Sequence, residues 1–315
     1  MVSCDNIKPL PPLGGKGLSG HYAGVVDGRL LVAGGCNFPD KALTDGGAKK
    51  FYDEILALGE DGWSVVGHLP EPSAYAIYAA TDSGLLVMGG ANASGQKDYV
   101  WLITDGGSCV KTLPSLPKPL EQAAAINYNG IVYLAGGLSA GAPSQEVFSF
   151  DGESWKTLGT LPRPVVQGIA TASGDEITIW GGFDPSTKEA LTEGFVFKLS
   201  TGEWSEGPKT EVTFVGSSCL DGYAVGGCDK EVFTNAIRLP QEKIREYQLQ
   251  PVEYYKFRGE ILALDGSAQK WERVAQYPAF ARAGAAIASY KGGYAIIGGE
   301  LKPGIRATEA TFIKF

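Results

Sequence analysis

Apolar and polar positions alternate in short runs along most of the chain, and six of those runs stop on a pair of glycines. They are LLVAGG (30–35), LLVMGG (85–90), VYLAGG (132–137), ITIWGG (177–182), GYAVGG (222–227) and YAIIGG (294–299). Runs this short, bounded by turn residues, predict strands rather than helices. Upstream of each pair lies a segment rich in small residues: HYAGVV, SAYAIY, EQAAAI, QGIATA, VGSSCL and AGAAIA. Turns such as VDGR and NYNG join the two arms into hairpins. Downstream comes a third alternating segment, as in EVFSFDG (146–152), GFVFKLSTG (194–202) and EILALDG (260–266). A fourth carries Trp-x-x-(Leu/Val), with Trp63, Trp155 and Trp271 in that pattern and Trp204 in a looser version of it.

Four strands per repeat cannot bury themselves, because an isolated four-stranded sheet leaves both faces in water. Stacking the repeats around an axis covers those faces, and the pattern fits an all-β, six-bladed propeller of the Kelch type. The glycine pairs begin at 34, 89, 136, 181, 226 and 298, and the interval from 298 through the C-terminus and back to 34 is again one blade long. The last repeat has three strands and lacks the Trp-bearing fourth, for which NIKPLPPL (6–13) is a match with Ile7 in the tryptophan's place. The expectation is one propeller domain over 1–315, in which an N-terminal strand at 4–13 completes the C-terminal blade at 280–315. The fifth repeat is longer than the others, the excess falling at 238–258 and predicting a short helix or an excursion over one face.

Charge and cysteines narrow the chemistry. A net charge of −8 without a basic cluster argues against a nucleic-acid partner. Five cysteines (Cys4, Cys36, Cys109, Cys219, Cys228) show no Cys-x-x-Cys spacing, and reduced, mostly buried thiols are expected. No run is long and apolar enough to span a membrane and no signal-peptide pattern opens the chain, so the expectation is a cytoplasmic protein, or a periplasmic one if a signal has been removed. Two histidines, His21 and His68, make no metal set, and no phosphate-binding or dinucleotide-binding loop appears, so neither metal nor cofactor is expected.

Residues just after the glycine pairs converge at one mouth of a propeller. Five repeats place Cys36–Asn37, Ala91–Asn92, Leu138–Ser139, Phe183–Asp184 and Cys228–Asp229 there, and the sixth places Glu300. A carboxylate in that crowded position needs a partner, and Lys302 and Arg306 flank the Pro303–Gly304 turn that follows. Two readings stand: an ion pair that pins the loop, or a general base beside an anion-binding guanidinium. Lys49 and Lys50 would add positive potential at the mouth or lie solvated, Asn37 is a candidate contact, and His21 opens the first hairpin, facing the channel or held within the wall.

GGELKPGIR (298–306) resembles the Gly-Glu-x-Lys-Pro-Gly-x-Arg segment of the bacterial sialic acid mutarotases, also called N-acetylneuraminate epimerases, which are six-bladed Kelch-type propellers. RAGAAIASYKGGYAIIGG (282–299) and GGAKKFYDEI (46–55) resemble further segments of that family. Here the lysine-bearing blade precedes the Glu-bearing one, which looks like a cyclically permuted branch, and Ser73 stands where the family pattern has an arginine. The resemblance implies an isomerase that interconverts the anomers of an acidic sugar without a cofactor, with Glu300 as catalytic base and Arg306 holding the substrate carboxylate. Lys302, Gln122 or water would then protonate the ring oxygen. The rival reading is a non-catalytic Kelch propeller that binds a protein or glycan through its loops, to which the tyrosines at 247–255 lend support.

Overall fold

In the computed structural model, which describes residues 6–267 and 269–315, each repeat becomes one four-stranded antiparallel sheet. Blade 1 is built from Tyr22–Val26, Arg29–Ala33, Glu54–Gly59 and Gly62–His68, and blades 2 to 5 repeat that order from axis to rim. The innermost strands, one per blade, pack side by side into a closed ring around the axis, the first of them against the last. The protein is a six-bladed β-propeller.

In blade 6 the order from rim to axis is Ile7–Leu10, Ala310–Ile313, Gly293–Ile297, Ala286–Tyr290, so the N-terminal strand supplies the outer edge of the C-terminal blade. Ile7 faces Ile313 across that pair, as Trp63 faces Leu58 in blade 1. Ile7 therefore occupies the tryptophan's place. The Trp63 indole N–H reaches across to the Pro11 carbonyl at 2.7 Å, which ties the rim of blade 1 to the segment that closes blade 6. Residues 4 and 5 of the expected strand, with Cys4, lie outside the described residues.

The core is divided among the seams between blades. Leu31 and Ile55 of blade 1 meet Leu85 and Trp101 of blade 2; Val32 and Leu30 meet Ala288 and Ile297 of blade 6 on the other side. Period-two alternation thus serves two seams at once, because successive side chains on a strand point to opposite neighbours. The glycine pairs are where blades touch most closely. At Gly89, φ is +64° and a Cβ would lie 2.1 Å from the Leu120 carbonyl oxygen of the next blade, so a side chain is excluded both by conformation and by space. The following Gly90 N–H donates to that same carbonyl at 2.8 Å, and Gly35, Gly137, Gly227 and Gly299 make the corresponding bond in their blades.

After the glycine pair, five blades form a two-residue hairpin at the mouth, such as Cys36–Asn37 with Lys50–Phe51. Blade 5 departs from this. Asp229 caps a helix at Lys230–Ile237 by accepting from the Val232 N–H at 2.9 Å, and a second short helix follows at Ile244–Gln248. The excess was expected at 238–258, but the excursion begins at the Asp229 cap, because the helix replaces the hairpin instead of being added after it. Arg245 in this segment donates to the Thr44 carbonyl at 3.3 Å, so the insertion reaches the loop of blade 1. Among the described residues no helix is long and apolar enough to cross a membrane.

Candidate active site

Glu300 and Arg306 face each other as a Cα pair in the hairpin Glu300–Lys302 with Ile305–Arg306. Backbone bonds to Ala283 in both directions (2.7 and 3.0 Å) fix Glu300 beside the axis. Its Oε1 lies 2.8 Å from Arg306 Nη1 and also accepts from the Gly304 N–H at 3.2 Å. Arg306 is only 8% exposed, with its guanidinium carbon 5.5 Å from the centre of the Phe38 ring. Its Nε is buried without a hydrogen-bond acceptor. The contact with Glu300 is close enough to be an ion pair but does not use up the fork of donors. Burial works against the charge on Arg306, yet Glu300, then Tyr75 and Cys36, outweigh it and hold the guanidinium's pKa above its ordinary value.

A ring of backbone at the entrance to the six inner strands forms the floor of this mouth. Gly20, Tyr75, Gln122, Gln167, Gly216 and Gly284 all have positive φ, between +56° and +67°. Tyr75 N–H donates to Gly20 O, Gln122 N–H to Tyr75 O, Gln167 N–H to Gln122 O and Gly284 N–H to Gly216 O, at 2.7 to 3.3 Å. The ring is bare on the side of blades 5, 6 and 1, where Glu300 and Arg306 sit, and carries side chains on the other. Tyr75 bridges the two halves. Its ring lies over Gly20, where a Cβ would come within 2.7 Å of Cδ1, and its hydroxyl meets Lys49 Nζ at 2.9 Å and Cys36 Sγ at 3.1 Å.

Neutral groups surround the carboxylate. Burial, and after it the neighbouring Cys36, hold the Tyr75 phenol well above its usual range, with Arg306 pulling the other way. Tyr255 is pushed up to about 12 by burial, then by Tyr254 and Glu300, and the Cys228 thiol to about 12 by burial and then by Glu300. Tyr247 is raised too, by burial first and in smaller part by Glu300. The blade 5 insertion brings Tyr247 and Tyr255 here; they pack edge to face, and the Tyr255 hydroxyl donates to the Tyr247 carbonyl.

The other sequence candidates separate. Lys49 reaches the mouth through Tyr75, whereas Lys50 is exposed, with its ammonium 4.9 Å from the Tyr52 ring centre. Asn37 lies near the mouth but is spent on structure: Nδ2 donates to Gly17 O at 2.8 Å and Oδ1 accepts from Tyr52 Oη at 2.9 Å. Lys302 points to the insertion, donating to Gln250 O at 2.6 Å. Gln122 lies on the ring, its amide oxygen accepting from Gln167 Nε2 at 2.6 Å. His21, a candidate for facing the channel, is instead 3% exposed between blades 1 and 6, with Nε2 3.1 Å from Ile297 O. The close approach of Gly298 to its ring turns it into the wall. Ser73 is fully buried, its hydroxyl held by Tyr22 and Tyr99, and adds nothing to the mouth.

Beyond the ring the inner strands enclose a channel of about 890 Å³, lined by small side chains such as Ala23, Ala79, Ala125 and Ala172, with Asp221 and Ser289 toward the opposite face. Glu300 and Arg306 are not part of its lining. They lie on the mouth side of the ring, so the pair belongs to the vestibule and not to the channel.

Comparison with known proteins adds an independent line. Residues 6–111 match the family model described as N-acetylneuraminate epimerase. That match covers about the first third of the chain. N-acetylneuraminate epimerase 1 of Escherichia coli O6:H1 is 37% identical over 115 residues, 32% of this chain and 31% of that protein. The N-acetylneuraminate epimerase of Yersinia enterocolitica is 26% identical over 250 residues, 76% of this chain and 54% of its own. That of Haemophilus influenzae (strain 86-028NP) is 25% identical over 226 residues, 65% and 60%. The chain thus spans between about a third and three-fifths of the length of these curated relatives. A solved structure of YjhT superposes with a TM-score of 0.67 at 16% identity over 97% of both chains, a likeness of fold.

Reading the sequence missed Tyr75; it placed Cys228 at the same mouth as Glu300 and assigned the tyrosines at 247–255 to the rival binding reading. One signal was available for Tyr75. Aligning the six repeats puts Gly, Tyr, Gln, Gln, Gly and Gly at one position, and a tyrosine among them is the outlier.

Proposed function

We propose that the protein is a sialic acid mutarotase, an isomerase that interconverts the α and β anomers of N-acetylneuraminate, with Glu300 as general base and Arg306 as the clamp for the substrate carboxylate. The observation that carries this reading is the buried Arg306 guanidinium at the mouth, whose Nη1 lies 2.8 Å from Glu300 Oε1 while its Nε has no acceptor. A planar carboxylate entering the vestibule fits the guanidinium edge that carries Nε, which Glu300 leaves free, in a two-point contact. Sialic acid carries its carboxylate on the anomeric carbon, so gripping it sets the anomeric hydroxyl beside Glu300. Orientation is the main contribution of Arg306.

Glu300 removes the anomeric hydroxyl proton as the bond from the anomeric carbon to the ring oxygen breaks. The open keto form turns and recloses on its other face, and Glu300 returns the proton. A positioned general base supplies about 10²–10⁴-fold, which suffices for a reaction of modest intrinsic difficulty. The names of the relatives support the same substrate class.

The test is proton NMR of freshly dissolved sialic acid, following the approach to anomeric equilibrium with wild type and with Glu300→Gln. The amide keeps the shape of the side chain and removes its basicity, so exchange slows by ~10²-fold or more while the acid still binds. Equal exchange in the two proteins removes Glu300 from the mechanism.

A further inference from the structure

Ring opening needs a second proton, delivered to the ring oxygen as its bond to the anomeric carbon breaks. Of the two side chains considered for that task on sequence grounds, Lys302 is turned to the Gln250 carbonyl, and Gln122, whose oxygen accepts from Gln167, offers only an amide, which is no acid. We infer that Tyr75, resting on the mutarotase reading above, is the catalytic acid, and that Lys49 is its positioning partner.

Three observations converge on this phenol. Tyr75 is held on the axis by its place in the backbone ring, and Gly20 leaves the space its aromatic ring crosses to reach blade 1. There the hydroxyl meets Cys36, two residues before the Phe38 ring that packs against the Arg306 guanidinium, so it shares the vestibule of Arg306 and Glu300. Its oxygen accepts from the Lys49 ammonium at 2.9 Å and from the Cys36 thiol at 3.1 Å, and among the described residues its own proton meets no acceptor. The O–H proton is therefore nearly unspent and available to a better acceptor, as the ring oxygen becomes when its bond to carbon lengthens.

The step balances without an added reagent. Glu300 takes the anomeric hydroxyl proton, the electron pair of that O–H bond becomes the carbonyl π bond, and the pair of the ring C–O bond leaves with the ring oxygen. That oxygen takes the Tyr75 proton. The phenolate left behind faces the Lys49 ammonium, which also lies 4.7 Å from the centre of the Tyr75 ring. On reclosure the phenolate recovers its proton from the open-chain hydroxyl as that oxygen attacks the other face of the carbonyl, and Glu300 returns its own to the new anomeric oxygen.

The experiment compares wild type, Glu300→Gln, Tyr75→Phe and Lys49→Gln in the NMR exchange assay, with calorimetric binding of sialic acid and a thermal melt for each. Tyr75→Phe is expected to bind the acid and to melt near wild type while exchange falls by ~10²-fold, and Lys49→Gln to lose ~10-fold. If wild type exchanges and Glu300→Gln does not, but Tyr75→Phe loses less than ~10-fold, the assignment of Tyr75 is overturned and the mutarotase reading stands. A wild type without exchange activity overturns both. Fluorinated tyrosines at position 75 provide a readout that packing alone does not move: the exchange rate should follow the stepped acidity of the phenol. A rate indifferent to that acidity overturns the inference even if Tyr75→Phe fails to fold.

Discussion

Replacing Arg306 by alanine tests the clamp directly. The side chain is 4% exposed; its Nη1 is shared with Glu300 and its Nε is a buried donor without an acceptor, so a bound carboxylate gains one charge-assisted hydrogen bond to a donor otherwise unpaired. Such bonds are worth about 1.5–3 kcal/mol each. Allowing for the desolvation of the incoming carboxylate, a net ~1.5 kcal/mol or ~10-fold weaker binding is expected of Arg306→Ala. Stability should change little, because the loss of attraction to Glu300 is offset by removal of a buried charge. Glu300, 27% exposed, can turn to water. The assay is isothermal calorimetry with sialic acid beside an analogue whose carboxylate is replaced by a neutral amide. The variant should lose affinity for the acid and lose almost none for the amide, and Arg306→Lys should recover only part, having charge without the planar fork. Binding of the acid as tight as wild type, or an equal loss for both ligands, refutes the reasoning: the first leaves the clamp without a role, the second shows a collapsed pocket.

Further expectations concern the wall and the floor of the site. Burial lowers the His21 pKa to about 4, with the bond to Ile297 opposing and Arg282 assisting, against an ordinary value of 6.5. The folded value is the lower one, so the neutral ring is favoured by folding; stability is full above pH 6.5 and falls as the pH drops to about 4, by up to ~3 kcal/mol. Melting curves across that window should show the decline in wild type and a flatter profile in His21→Gln; an equal slope in both would exclude His21 as its source. At Gly20, φ is +65° and an added Cβ would press within 2.7 Å of the Tyr75 ring. Gly20→Ala should cost about 1–3 kcal/mol in a thermal melt and slow anomer exchange more than it weakens sialic acid binding, since it displaces the proposed acid and leaves Arg306 in place. Unaltered exchange would separate the position of Tyr75 from catalysis.

The vestibule shows where sequence reasoning has purchase. Glu300 and Arg306 were legible together because they are six residues apart on one tight hairpin, a distance over which turn chemistry alone sets which side chains meet. Tyr75 and Lys49 were not, being on different blades and joined through a hydroxyl contact that no local pattern encodes. His21 was ambiguous for a related reason. A residue at the start of an inner strand faces the channel or the seam according to where the neighbouring blade's backbone passes, and here Gly298 passes against its ring.

By itself the sequence determined the blade count, the glycine-pair hairpin of each blade, and the closure of the last blade by a strand within 4–13, because alternation, glycine pairs and a missing fourth strand are properties of local pattern and of counting. It also determined that a carboxylate and a guanidinium meet at one mouth. Only the tertiary structure decided what surrounds them: the phenols from blades 2 and 5, the Lys49 ammonium, and a backbone ring that sets the pair apart from the channel. The physical reason is that inter-blade packing brings together segments far apart in the chain, and burial there, not residue type, controls which groups keep their protons and which donors remain free for a substrate.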